Sequence, residues 1–149
     1  MRRLRACAAV CLLLACVAGP TSAEAATSEE LMTAEINAAR TAHDRPALNP
    51  SPALAASAEG YAGWMMRRDA FGHRSPTPVA GDFAFKGEIL AMRSGTRPNV
   101  APTVRMWLDS PGHRAAILNP GFDWVGVGRA QGRFGGREAT IWVAHFGRR

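Results

Sequence analysis

The chain has 149 residues, 47 % of them apolar, a formal charge of +6 and three cysteines. That length suits one ordinary domain with a real core. Cys7, Cys11 and Cys16 all lie near the start, so the rest of the chain has no disulfide, thiolate metal site or cysteine nucleophile. The basic residues are scattered arginines with Lys86 as the only lysine, and no basic run interleaves with aromatics, which argues against nucleic acid as a partner.

Met1 to Arg5 is a basic start, Ala6 to Ala18 an apolar run too short for a membrane span, and Ala23-Glu24-Ala25 a small-residue cleavage signal. Residues 1–25 therefore read as a signal peptide and 26–149 as the exported domain. Cleavage takes away Arg2, Arg3, Arg5 and Glu24 and leaves a charge of +4, mild enough to favour anionic envelope polymers or lipid headgroups. Leu13-Leu-Ala-Cys16 also resembles a bacterial lipobox. The expected location is extracellular, either free or lipid-anchored at the cell envelope through Cys16.

Thr27-Ser-Glu-Glu30 is a capping box that opens a helix to about Arg40 or Ala42, with Leu31, Ala34, Ala38 and Met32, Ile36, Ala39 giving it a broad apolar face. Ser51-Pro52 starts a second helix whose stripe is Leu54, Ala58, Tyr61 and Met65, ended by Phe71-Gly72. Its many alanines predict close packing against a neighbour. Residues 74–86 read as loop, Glu88 to Met92 as a short strand, and Thr103 to Asp109 as a third helix with Val104, Trp107 and Leu108 inward. Ser110-Pro111-Gly112 breaks that helix and starts another: Ser110 is placed to cap it and Pro111 suits its first turn, which presents His113 near a helix N-terminus. Trp124 to Arg129 and Ala139 to Phe146 form a hairpin around Gly132 to Gly136. Helices first and a hairpin last imply an α+β domain, helices covering a small antiparallel sheet.

Seven motifs follow one another in a familiar order: Ile36-Asn-Ala-Ala-Arg40, Phe71-Gly-His-Arg-Ser75, Gly87-Glu88, Ser110-Pro-Gly-His-Arg114, Ile117-Leu-Asn-Pro120, Val125-Gly-Val-Gly128 and Trp142-Val-Ala-His-Phe-Gly147. Together they resemble the CAP superfamily of cysteine-rich secretory proteins, antigen 5 and pathogenesis-related proteins, in its bacterial, cysteine-free branch. The resemblance spans residues 29–147. It implies a three-layer α-β-α sandwich with a central cleft that binds a divalent metal in several members. Carried over by motif, the cleft residues are His73, Glu88 and His113, with Asn37, Arg40, Ser110, Pro111 and Gly112 as structural positions. Two departures stand out. The family's G-E-N-I reads Gly87-Glu88-Ile89-Leu90, and only 15 residues separate His73 from Glu88, so one side of the cleft is expected to be trimmed.

Two imidazoles and a carboxylate can hold zinc with positions open for water. The alternative is that His73 and His113 hydrogen-bond Glu88 across the cleft and organise it without metal. No G-x-S-x-G elbow accompanies Ser110 or Ser75, and no H-E-x-x-H is present. His145 lies in the last strand, expected on the face opposite Val143, and is read as structural; His43 is expected to meet the C-terminal carbonyls of the first helix. The four tryptophans, Trp64, Trp107, Trp124 and Trp142, are read as core, and Arg40 as an anchor of the first helix against the sheet. The expectation is a monomeric, non-enzymatic extracellular binding module that takes a divalent metal such as zinc and a lipid or cell-wall component. A metal-dependent hydrolase, or an interaction domain with an empty cleft, are the other readings.

Overall fold

A computed structural model describes residues 25–77, 79 and 82–149; the leader signals up to Glu24 lie outside the described residues. Helix α1 (Ser28–Thr41) begins as the capping box requires: Thr27 Oγ1 accepts from Glu30 N at 3.2 Å, and Glu30 Oε2 accepts from Thr27 N at 2.8 Å. After the short strand β1 (Asn49–Pro50), helix α2 (Pro52–Arg68) is capped by Ser51, whose Oγ accepts from Leu54 N. It stops at Arg68, earlier than Phe71-Gly72, because Asp69 adopts the left-handed conformation (φ 48°) that closes a helix.

Strand β2 (Phe85–Ser94) is twice the length read from sequence, since it pairs with β4 residue by residue from Phe85 to Ser94. Neighbouring-strand pairing, which no local pattern reveals, sets its ends. Helices α3 (Val100–Asp109) and α4 (Pro111–Ile117) follow, then β3 (Trp124–Phe134) and β4 (Arg137–Arg148). The hairpin turn is tighter than Gly132 to Gly136. Gly135 and Gly136 alone make it, both at positive φ (56° and 81°), as a two-residue turn between antiparallel strands favours.

The sheet order is β1-β3-β4-β2, with β1 parallel to β3 and the other pairs antiparallel. Alternation along β4 divides the core. Trp142, Ala144 and Phe146 face α1 and α3 with Met32, Ile36 and Trp107, while Ile141 and Val143 face α2 with Ala58, Ala62 and Met65. Helices on both faces of one sheet make the α-β-α sandwich. The alanines of α2 have their explanation in β3. A Cβ added at Gly126 or Gly128 would overlap the backbone at Leu54–Ala55 and at Ala58–Glu59, so the helix lies directly on the strand.

Arg40 is 1 % exposed and does not anchor α1 to the sheet. Its guanidinium donates instead to the carbonyls of Pro46 (2.8 Å), Ile117 (2.6 Å) and Asn119 (3.0 Å), tying α1 to the exit of α4. Asn37 acts similarly on the following loop, donating to Leu48 O and accepting from Leu48 N. Trp107 and Trp142 are fully buried, with indole N–H groups on Leu90 O and Pro98 O. Trp64 and Trp124 are only half-buried and lie under Arg74 and Arg149.

Candidate functional site

Glu88 sits on β2, the sheet's edge strand, on the face that α2 covers. Its direct partner across the strands is His145, and Gly126 lies opposite His145 on the other side. Val143 and His145 are two apart and share a face, so the expectation that they face opposite ways is corrected by the strand period itself. Side chains along this row do the rest. His145 Nε2 lies 2.9 Å from Glu88 Oε2, and His145 Nδ1 lies 2.8 Å from Ser57 Oγ of α2. The Ser57 hydroxyl can also donate to Leu54 O at 3.0 Å.

The other oxygen of Glu88 faces outward, where Oε1 is 2.6 Å from His73 Nδ1. Exposure falls sharply along this chain of contacts: 59 % for the His73 side chain, 2 % for Glu88 and 0 % for His145. A buried carboxylate with no partner would be costly, and here both oxygens are satisfied by imidazoles. The loop that carries His73 is held by Tyr61, whose hydroxyl donates to Gly72 O. Burial, then the Glu88 charge, raise the Tyr61 pKa, so the phenol keeps the proton it donates.

His113 enters from α4, which packs against β2. Ser110 stands at its N-cap with extended backbone but makes no side-chain capping bond; its carbonyl accepts from Arg114 N at 2.8 Å. Pro111 opens the helix and Gly112 has open space around it. Burial, and after it the proximity of His73, lower the His113 pKa, which favours the neutral ring. The second imidazole on Glu88 is thus His145 rather than His113, which lies near enough to His73 to feel its charge. His43 meets Ala39 O at the end of α1, as expected, and also accepts from Arg114.

Among the described residues, no three of His, Cys, Asp and Glu converge as a metal-ligand group. The donor chemistry fits a narrower arrangement. Glu88 Oε1 engages His73 at Nδ1, and a carboxylate behind one ring nitrogen is how metal-bound imidazoles are commonly oriented. His113, whose lowered pKa favours the neutral ring, carries the other imidazole near His73. Glu88 stands behind the pair rather than beside them.

Away from these residues, an apolar groove of about 390 Å³ runs between α1 and the start of α2 over Val125 and Val127. Its polar lining is already engaged, Asn37 on Leu48, Glu30 on Thr27 and Glu29 on Arg129. No helix among the described residues is long and apolar enough to cross a membrane.

The frame is an α-β-α sandwich with a glutamate of an edge strand bonded to an exposed histidine. The profile of the cysteine-rich secretory protein family, CAP, matches residues 33–146, and the chain belongs to that family. The uncharacterized protein YkwD of Bacillus subtilis is 29 % identical over 137 residues, 85 % of this chain and 50 % of that protein. The chain thus spans about half the length of that curated relative. An outer surface protein from Borrelia burgdorferi has a similar structure, with a TM-score of 0.67 and 25 % identity, over 82 % of this chain and 92 % of that one. An extracellular SCP-domain protein from Bacillus anthracis gives a TM-score of 0.65 and 25 % identity over 82 % of this chain and 40 % of that one.

The motifs point to His73, Glu88 and His113; the structure adds Ser57, Tyr61 and His145 to their hydrogen-bonded surroundings. A signal for His145 was present. It is the one ionisable residue in the apolar run Ile141 to Phe146, and a buried imidazole there demands a polar partner on its own face.

Proposed function

We propose that this chain is an exported, non-enzymatic binding module of the cell envelope whose cleft takes a divalent cation between the imidazoles of His73 and His113. The observation that carries the reading is the contrast across one short hydrogen bond: an imidazole 59 % exposed, backed by a carboxylate 2 % exposed. A buried anion behind an outward ring strengthens the ring as a donor and fixes its direction. Burial, then His73, lower the His113 pKa, which favours the neutral ring with one nitrogen able to donate to a cation. Held by His73 and His113, a cation would supply a positive centre for an oxygen-rich ligand, such as a lipid headgroup or cell-wall polymer.

Binding is favoured over hydrolysis because Glu88, the carboxylate bonded to the site histidines, has both oxygens engaged and is not free to act as general base. Export is supported by the leader pattern of residues 1–25 and by relatives described as extracellular or outer-surface proteins.

The test is calorimetric titration of Zn²⁺ into protein purified without a polyhistidine tag, beside His73→Ala/His113→Ala. Saturable one-to-one binding lost in the double variant is expected. Equal binding by the two proteins would remove the cation, and metal-dependent turnover of envelope substrates would replace the module with a hydrolase.

A further inference from the structure

We infer that His145, anchored by Ser57, is a positioning residue: it fixes the Glu88 carboxylate so that His73 keeps its proton on Nδ1 and presents the Nε2 lone pair to the cleft. Hydrogen counting leads there. Ser57 has one hydroxyl proton and two neighbours, His145 Nδ1 at 2.8 Å and Leu54 O at 3.0 Å. If the proton points to Nδ1, the neutral ring carries its own proton on Nε2. If it points to Leu54 O, the ring donates to Ser57 from Nδ1, and an adjacent carboxylate still calls for hydrogen on Nε2. Either way, with Glu88 ionised, Nε2–H of His145 donates to Oε2. That leaves Oε1 aimed at His73 Nδ1, 2.6 Å away.

His145 reaches no solvent, and its hydrogen bond to Glu88 is its link toward His73. Exposed imidazoles otherwise favour a proton on Nε2, which would block that nitrogen as a donor to a cation. The consequence for metal rests on the reading above, but the tautomer does not, so the two can fail separately.

Long-range ¹H–¹⁵N NMR of the metal-free protein at pH 8 reports which ring nitrogen of His73 bears hydrogen. The wild type and His145→Gln, whose amide can meet both Glu88 and Ser57, are expected to show the Nδ1–H form. In His145→Leu the ratio of Nδ1–H to Nε2–H should fall at least fivefold, and Zn²⁺ affinity about tenfold, the size of loss that follows removal of an outer-shell partner. A wild-type Nε2–H tautomer, or a folded leucine variant with the wild-type ratio, would overturn the inference. If the leucine variant does not fold, Ser57→Ala serves, with a smaller fall of at least twofold expected and no change refuting. A wild type that binds no Zn²⁺ yet shows the tautomer shift would sink the cation reading and leave the positioning role standing.

Discussion

Replacing Arg40 by methionine tests whether one buried cation holds α1 to the helix that carries His113. Three carbonyls, of Pro46, Ile117 and Asn119, accept from Arg40 at 2.8, 2.6 and 3.0 Å. Hydrogen bonds involving a charged group contribute about 1.5–3 kcal/mol each, so the gross loss is about 5–9 kcal/mol. Against that stands the desolvation of a guanidinium 1 % exposed, whose pKa burial and then the Arg45 charge both lower. Removing the charge relieves several kcal/mol of that penalty, and the methionine chain keeps most of the packing of the arginine stem. The net expectation is a destabilisation of about 3–5 kcal/mol, as for other broken buried charge networks. For a domain of this size that corresponds to a Tm lower by about 10–20 °C. Urea melts followed by circular dichroism measure it, with Arg40→Lys as a companion, since an ammonium cannot fork across three acceptors and should recover less than half the loss. A methionine variant within about 1 kcal/mol of wild type would refute the reasoning, because the orphaned carbonyls would then have found other partners.

Gly128→Val should cost about 2–4 kcal/mol in the same melts, because its side chain must displace the α2 backbone at Ala58–Glu59; an unchanged midpoint would deny the close approach. Asn37→Ala strips both polar groups of Leu48 of their partner and should cost about 1–3 kcal/mol. The third prediction concerns pH in the metal-free protein. Burial, then His73, lower the His113 pKa, so below about 6.5 the unfolded chain binds a proton that the folded one resists. Stability should therefore fall as pH drops from about 6.5 through the lowered folded value, with no contribution above that window. His113→Asn should flatten the curve there, and parallel curves for the two proteins would contradict the assignment.

What could be read from the chain was whatever its local chemistry determines. The capping box at Thr27, the Ser51-Pro52 start of α2 and the paired glycines of the hairpin act through neighbours in sequence, and each lies where the pattern put it. The ends of β2 were not legible, because Phe85 to Gly87 is extended through its pairing with residues 146–148, far along the chain. Arg40 could be recognised as an anchor, but its acceptors come from loops that only the packing of α4 brings near. At the site, His73, Glu88 and His113 rest on motif resemblance. Their roles differ from one another in ways no motif encodes. His73 is exposed and bonded, Glu88 is enclosed, and His113 meets its neighbours electrostatically.

The unseen part of the site also shows why packing and chemistry cannot be separated in so small a domain. Gly126, His145 and Glu88 form one row across β3, β4 and β2. Gly126 has no side chain because the backbone of α2 lies where a Cβ would be. That same approach sets Ser57, one turn beyond Leu54, against His145 rather than a turn away in solvent. The Val125-Gly-Val-Gly128 motif therefore serves the cleft while touching none of its exposed groups. It sets the depth at which α2 rides on the sheet, and this depth decides whether a serine can hold a histidine, the histidine a carboxylate, and the carboxylate the exposed ring of His73.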